Sequence, residues 1–187
     1  MRLTPTRLKD VLVVEPDVFK DNRGFFLESF HARKFAEAGL KAVFVQDNHS
    51  RSGKGTLRGL HAQVRKPQGK LIRVVQGEIF DVAVDARPDS PTFGEWVGET
   101  LSAGNFRQFY VPPGFLHGFC VTGDFAEVEY KCTDFYDPSD EIGVRWNDPR
   151  LAIRWPVSDP VLSAKDKGLP GFDEIKEKLE IYRRQNF

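Results

Sequence analysis

The stretch "KLIRVVQGEIFDVAVDAR", residues 70–87, is the part of this sequence that says most about the fold. It consists of two runs rich in valine and isoleucine, which are separated by Gln76 and Gly77. β-Branched residues favour strands, and a two-residue interruption that contains glycine is typical of a hairpin turn. We therefore expect two antiparallel strands that are joined at Gln76–Gly77.

Comparable strand patterns recur along the chain, in "VLVVEPDVFKDNRGFFLE", "KAVFVQDNHS", "TLRGLHAQ", "EWVGETLS", "RQFYV", "GFCVT" and "AEVEYKCTDFY". In the first of these, residues 22–24 mark a bend between two strands. Many short strands separated by turns are typical of a β-sandwich or a β-barrel. Because 187 residues suit one hydrophobic core, the sequence predicts a single all-β domain over residues 1–187.

Two segments have helical rather than strand patterns. "SFHARKFAEAGL", residues 29–40, predicts a short helix that Ser29 caps and Gly39 ends. Near the C-terminus, "FDEIKEKLEIYRRQ" places Ile175, Leu179 and Tyr182 at helical spacing. We expect this helical tail to lie on the surface of the barrel and to pack that one face against it.

Composition and charge exclude several classes of protein. The 27 basic and 27 acidic residues balance, so no overall field attracts a polyanion such as nucleic acid. No apolar run approaches the roughly 20 residues that cross a bilayer, and "MRLTPTRLKD" lacks the apolar core of a signal peptide. Cys120 and Cys132 match no zinc or redox spacing, so we expect buried thiols in a cytoplasmic protein, with a cross-strand disulfide as the alternative.

The period of two in a strand predicts which side chains face inward. In residues 125–133, Ala126, Val128, Tyr130 and Cys132 share the smaller and more apolar face, so Tyr130 is expected to point inward. The strand that begins at Lys70 is ambiguous because both of its faces are apolar.

Arg58 and His61 are an odd number of residues apart, so they fall on opposite faces of a regular strand. A glycine inside a strand often marks a bulge, and Gly59 stands between them. A bulge at Gly59 would bring both side chains to the same face.

Two histidines lie on separate predicted strands. His61 belongs to "TLRGLHAQ", and His117 follows a Pro-Pro-Gly turn in "YVPPGFLHGF". This arrangement resembles the cupin jelly-roll pattern, whose metal-binding form has a His-x-His followed by a glutamate. Here the second histidine position is Gln63, and residues 64–70 contain no acid. Catalytic metals usually take three protein ligands, so we expect no metal and keep a metal-dependent cupin as an alternative.

His61, Lys70 and Tyr130 together suit proton transfer without a metal. Histidine titrates near neutral pH and serves as a base, and an ammonium stabilises a developing enolate oxygen. A tyrosine on the other side of the substrate can return the proton. This combination favours an epimerase or isomerase that acts beside a carbonyl.

The run "GTLRGLHAQVRKPQGKLIRVVQGEIFDVAVDAR" resembles the signature of the dTDP-4-dehydrorhamnose 3,5-epimerase family. "DNRGFFLE", "FVQDNHS", "YVPPGFLHGF", "EYKCTDFYDP" and "LSAKD" resemble it too, and all six follow the family's order within residues 17–166. The resemblance implies a jelly-roll homodimer without metal or cofactor. It also implies inversion of C3 and C5 of dTDP-4-dehydro-6-deoxy-D-glucose through an enolate at the C4 ketone, which gives dTDP-4-dehydro-L-rhamnose.

The resemblance also implies roles for individual residues. His61 is the base, Asp166 orients it, Tyr130 is the acid, Lys70 faces the C4 oxygen, and His117 lies near the sugar or the diphosphate. Substrate-binding roles, with sites shared across the dimer, fall to Arg23, Phe26, Glu28, Gln46, Asn48, Arg58, Glu141, Lys165 and Tyr136, the last stacking on thymine.

Each of these residues also has a purely structural interpretation, as a core histidine, a barrel-filling tyrosine, a helix cap or a surface charge. Ala62 replaces the family's usual aromatic residue, and residues 64–70 form a compact loop rich in basic residues. Because of these departures, a single-site epimerase that acts on a related dTDP-4-keto-6-deoxysugar remains an alternative. A non-catalytic sugar-nucleotide binding domain is the third alternative, although binding alone needs no base and acid.

Overall fold

The structure, a computed structural model, describes residues 1–186. It contains eleven strands. They are β1 (Arg2–Pro5), β2 (Leu12–Glu15), β3 (Val18–Asp21), β4 (Gly24–Leu27), β5 (Gln46–Gly53), β6 (Leu57–Gln63), β7 (Lys70–Asp85), β8 (Trp96–Ser102), β9 (Gln108–Val111), β10 (Phe115–Cys132) and β11 (Glu141–Gly143). The helices are α1 (Ala32–Glu37), α2 (Ala164–Lys167) and α3 (Lys176–Asn186), and a 3₁₀ turn at Phe172–Ile175 precedes α3.

Nine strands form one antiparallel sheet that curves into a barrel. Its main order is β1-β2-β9-β7-β10-β6-β11, with β5 added to β10 and β8 added to β7. Strands β3 and β4 form a separate hairpin, which bends at residues 22–23 as predicted. The all-β jelly-roll class expected from the sequence is confirmed.

The predicted hairpin at Gln76–Gly77 is wrong, because β7 runs through these residues as one strand. Both halves of β7 pair with β10, in registers that shift near Gly77. Gly77 has a φ of +76°, and a Cβ there would lie 1.9 Å from the carbonyl oxygen of Phe125. Gly77 therefore lies in a bulge where the backbones of β7 and β10 approach closely, and not in a turn.

The main core lies inside the barrel. Tyr130 packs against it, beside Ala126 and Val128, so the inward orientation predicted for Tyr130 is confirmed. Ile72 and Val74 belong to the same core, which places the Lys70 face of β7 inside as well. Alternation along one strand could not decide this orientation, since it depends on what packs against each face.

A second core lies outside the sheet and holds the C-terminal tail. Ile175, Leu179 and Tyr182 are buried there against Leu60 and Leu116 of the sheet. Ile175 belongs to the 3₁₀ turn and the other two belong to α3. The helical spacing of these residues therefore identified the packed face correctly.

The local details of α1 differ from the prediction at one end. His31, not Ser29, occupies the N-cap, and no side chain caps the helix. The carbonyl oxygen of Ser29 instead accepts a hydrogen bond from Gln108. Gly39, at a φ of +104°, ends the helix as expected.

Strand β5 begins later than the predicted strand of residues 41–50, and its residues are polar. The bounds of β5 follow from its pairing with β10, which extends over residues 46–53. In this pairing, Asn48, Ser50 and Ser52 stand opposite inward-facing residues of β10. Polar side chains of β5 thereby point into the barrel.

The two cysteines are buried as free thiols. Within residues 1–186, no helix combines the length and the apolar character needed to span a membrane.

Candidate active site

Two adjoining clefts of about 300 and 530 Å³ open on the inner faces of β5, β6, β7 and β10. His61, Lys70 and Tyr130 line both clefts. Lys70 and Tyr130 are diagonal neighbours on the paired strands β7 and β10, and His61 comes from β6, which also pairs with β10. The two clefts therefore form one site with the predicted proton-transfer residues at its centre.

His61 is held by a carboxylate that lies far away in the sequence. Its Nε2 atom lies 2.7 Å from Oδ1 of Asp166, which is buried in α2. Ser163 caps this helix and accepts a hydrogen bond from the backbone N–H of Asp166. Burial alone would raise the pKa of Asp166, but the bonds to His61 and Ser163 and the charge of His61 hold it below its usual range. Asp166 is therefore ionised at neutral pH and bonded to the imidazole.

A second carboxylate lies on the other side of the ring. Glu141 places Oε1 3.6 Å from Nδ1 of His61 and also pairs with the ammonium of Lys165. Tyr136 donates its hydroxyl to Glu141 at 3.0 Å. Burial opposes ionisation of Glu141, but Lys165, His61 and Tyr136 together hold its pKa below the usual range. The imidazole thus stands between two carboxylates.

Burial shifts the pKa values of Lys70 and Tyr130 in opposite directions. Burial lowers the pKa of the Lys70 ammonium, while the neighbouring Cys132, Glu141 and Asp81 act in the opposite direction. Burial also raises the pKa of Tyr130, so its phenol stays protonated at neutral pH. A protonated phenol can donate to a carbon from which another group has removed a proton.

A bulge in β6 explains how Arg58 reaches the same site as His61. His117 pairs with His61 and Phe119 pairs with Arg58, so two residues of β6 face one residue of β10. Gly59 has a φ of +112°, and a Cβ there would lie 2.6 Å from the backbone of β10. The predicted bulge at Gly59 is confirmed, and both side chains line the larger cleft.

Asp81 is a site residue that the sequence analysis missed. It is completely buried, and both of its carboxylate oxygens lie within 3.0 Å of Nε2 of His117. Burial raises the pKa of Asp81, and the nearby charges of His117 and Lys70 lower it. The available signal was an acidic residue in the valine-rich run "IFDVAV", because a buried carboxylate there requires a partner.

A chain of hydrogen bonds supports the smaller cleft. Asn48 donates to the Cys132 sulfur at 3.5 Å, and Gln46 donates to Asn48 at 3.0 Å. Gln46 in turn accepts the backbone N–H of Tyr136 at 2.8 Å. The Tyr136 ring is half exposed at the edge of this cleft, where a flat ligand group can reach it.

Three predicted binding residues do not reach either cleft within this chain. Arg23 lies in the hairpin turn and bonds to Asp21, and Phe26 of β4 is 69% exposed. Glu28 follows β4 and pairs with Lys34 at 2.8 Å. By contrast, the other predicted residues line the clefts: Gln46, Asn48, Arg58, His61, Lys70, His117, Tyr130, Tyr136, Glu141, Lys165 and Asp166.

Gln63, at the position of a histidine in metal-binding cupins, has a structural task. Its amide donates to the carbonyl oxygens of Lys66 and Phe135 and accepts the N–H of Asp137. These bonds hold the compact loop of residues 64–69 against the segment after β10. Among residues 1–186, no three His, Cys, Asp or Glu side chains come together in a way that could hold a metal ion.

Known proteins resemble this chain over most of its length. Residues 5–174 match the family model described as dTDP-4-dehydrorhamnose 3,5-epimerase. A Pseudomonas aeruginosa protein of that name is 57% identical over 169 residues, which are 89% of this chain and 93% of the relative. A Streptomyces niveus protein named dTDP-4-dehydrorhamnose 3-epimerase is 41% identical, over 89% of this chain and 82% of its own.

One solved structure has nearly the same fold as this chain. The dTDP-6-deoxy-D-glucose-3,5-epimerase of Legionella pneumophila, in complex with dTDP-4-keto-L-rhamnose, superposes with a TM-score of 0.92 and 49% sequence identity. The superposition covers 95% of this chain and 96% of that one. These similarities extend over nearly the whole sequence, and the chain therefore belongs to the dTDP-4-dehydrorhamnose 3,5-epimerase family.

Proposed function

We propose that this protein inverts C3 and C5 of dTDP-4-dehydro-6-deoxy-D-glucose and so forms dTDP-4-dehydro-β-L-rhamnose. The observation that carries the proposal is the meeting of His61, Lys70 and Tyr130 around one cavity, with Asp166 at 2.7 Å from the histidine. Relatives that are more than half identical have the same activity in their names.

The proposed reaction begins with His61 as the base. Asp166 accepts a hydrogen bond from Nε2–H, so Nδ1 carries the lone pair that removes a proton from C3 or C5. The electrons of that C–H bond form a C=C bond to C4, and the C4 carbonyl electrons move onto its oxygen. The ammonium of Lys70 stabilises this enolate oxygen.

Tyr130 completes the inversion from the opposite face of the sugar. Its phenol donates a proton to the carbon that lost one, and the C4 carbonyl re-forms. The tyrosinate and the imidazolium then return to their starting states by proton exchange with water. Both reacting carbons flank the C4 ketone, so one set of residues serves both inversions.

The remaining cleft residues are proposed to hold the nucleotide. Arg58 and Lys165 provide positive charge for the diphosphate, and Tyr136 provides an aromatic face for thymine. Gln46 and Asn48 lie beside Tyr136 and offer amide groups to the same end of the ligand. In this arrangement the diphosphate competes with Glu141 for Lys165, because these two side chains form an ion pair.

We further propose that the protein is a cytoplasmic homodimer that shares its sites. The hairpin of β3 and β4 exposes Phe19, Phe25 and Phe26 by 64%, 61% and 69%, which is unusual for a monomer's surface. A second copy that covers these rings could receive Arg23, Phe26 and Glu28 at its own cleft. This would account for the three binding residues that lie away from the site of their own chain.

Proton NMR of dTDP-4-dehydro-6-deoxyglucose with the enzyme in D₂O, without added metal, tests the activity. Deuterium at both C3 and C5 is the expected result, because each inversion exchanges a carbon-bound proton with solvent. Exchange at one carbon only would identify a single-site epimerase, the activity in the name of the Streptomyces niveus relative. Complete absence of exchange would reject the proposed function and favour a binding domain.

A further inference from the structure

Ser50 lies in the middle of β5 and has no role in the mechanism above. It pairs with Val128 of β10, a residue of the interior core, so its side chain is on the inner face of the barrel. There it lines the larger cleft together with Arg58, His61 and Tyr130. It does not line the smaller cleft that contains Tyr136.

The hydroxyl of Ser50 is unusual in its hydrogen bonding. Among the side chains of residues 1–184, its Oγ is the sole buried nitrogen or oxygen without a hydrogen-bond partner. The next residues on the same face of β5 both have partners, since Asn48 bonds to Cys132 and Ser52 accepts from Nε of Arg58 at 3.0 Å. Ser50 is therefore the one unpaired member of a row of three polar residues.

Packing does not explain a serine at this position. A buried hydroxyl that makes no hydrogen bond lowers stability, whereas alanine would fill nearly the same space without that cost. Unpaired polar groups in folded proteins are rare and often belong to functional sites. Because Ser50 lines the larger cleft, a ligand bound in that cleft can supply the missing hydrogen-bond partner.

We propose that Ser50 is a substrate-contacting residue whose hydroxyl bonds to the sugar of the bound nucleotide. Rotation about its Cα–Cβ bond redirects the hydroxyl toward the cleft, and no hydrogen bond opposes that rotation. Asn48, one step along the same face, pairs directly with Tyr130, so Ser50 lies on the Tyr130 side of the cavity. This inference rests on the proposed function, because it assigns Ser50 to the sugar-binding part of that same site.

The test compares Ser50→Ala with Ser52→Ala and with the wild-type protein. Without ligand, we expect Ser50→Ala to melt at the wild-type temperature or above, because it removes an unpaired buried hydroxyl. Ser52→Ala should melt lower, because it removes the partner of Arg58. With the sugar nucleotide, Ser50→Ala should raise KM about 3- to 10-fold, the scale of one neutral hydrogen bond.

Inhibition by dTDP, which has the nucleotide and diphosphate but no sugar, locates the contact. An inhibition constant that Ser50→Ala leaves unchanged is the expected result. Equal weakening of dTDP and of the sugar nucleotide would overturn the assignment to the sugar. An unchanged KM, with or without a lower melting temperature, would overturn the substrate contact altogether. Turnover by the wild-type enzyme is measured first, because its absence rejects the proposed function rather than the role of Ser50.

Discussion

His61 and Asp166 are 105 residues apart in the sequence, yet Nε2 and Oδ1 of their side chains lie 2.7 Å apart. Asp166 is almost completely buried, and Ser163 caps the short helix that presents it. In the proposed mechanism, a buried, ionised carboxylate in this position fixes the tautomer of the imidazole and stabilises the imidazolium that forms during proton removal.

Replacement of that carboxylate should therefore impair catalysis more than folding. We expect Asp166→Asn to lower kcat by about 10²-fold or more, because an amide neither stabilises the imidazolium nor enforces the tautomer. Steady-state turnover of the sugar nucleotide measures the effect, with circular dichroism to verify the fold. Turnover close to that of the wild type would show that Asp166 has no part in catalysis.

Loss of the base or the acid should be equally severe. His61→Ala and Tyr130→Phe are each expected to reduce turnover by roughly 10²-fold or more, the usual contribution of general acid–base catalysis. Tyr136→Phe is the matched control, since it keeps an aromatic ring and loses only the bond to Glu141. A Tyr130→Phe enzyme with full activity would disprove the role of Tyr130 as the acid.

Lys70 should show opposite effects on stability and activity. Burial lowers the pKa of its ammonium, so removing the charge relieves a desolvation cost. We expect Lys70→Met to unfold at the same urea concentration as the wild type or a higher one, but to lose at least about 10²-fold in kcat, because the enolate loses its counter-charge. Lys54→Met, at a side chain that is 71% exposed, should change neither property. A Lys70→Met protein that is less stable yet fully active would contradict this assignment.

The pH dependence of stability follows from the two carboxylates beside His61. Asp166 and Glu141 both have pKa values below their usual range, where the effects of their partners outweigh that of burial. The folded chain thus binds these protons more weakly than the unfolded chain, so the stabilisation is complete at neutral pH and is lost as the pH falls through the lowered pKa values. Urea unfolding between about pH 7 and pH 3 should show this loss, and Asp166→Asn should reduce it. Parallel curves for the two proteins would argue against the contribution of Asp166.

The loop of residues 64–69 should depend on Asp140 for its position. The buried carboxylate of Asp140 accepts the backbone N–H groups of Arg65 and Lys66 at 2.8–3.0 Å. Asp140→Ala leaves those groups without a partner and should cost about 2–3 kcal/mol in the free energy of unfolding. Asp124→Ala, at a side chain that is 95% exposed, should change it by less than about 0.5 kcal/mol. Equal unfolding curves for the two variants would show that the loop does not need this anchor.

Several features of this protein follow from the sequence by itself. The strand-rich class, the inward orientation of Tyr130 and the packed face of the tail follow from local alternation or helical spacing, and Gly59 marked a position where a bulge could occur. Covalent geometry sets these periods, so they can be read wherever the chain is regular. The family motifs predicted which residues line the site, and the structure brings His61, Lys70 and Tyr130 to the same clefts.

The tertiary structure alone decided the features that depend on strand register. Gly77 suits a hairpin turn and a bulge equally well, and only the pairing of both halves of β7 with β10 distinguishes them. The bond between His117 and Asp81 and the unpaired hydroxyl of Ser50 likewise depend on which strands lie side by side. Register joins residues that are distant along the chain, and the local pattern of one strand contains no information about its neighbour.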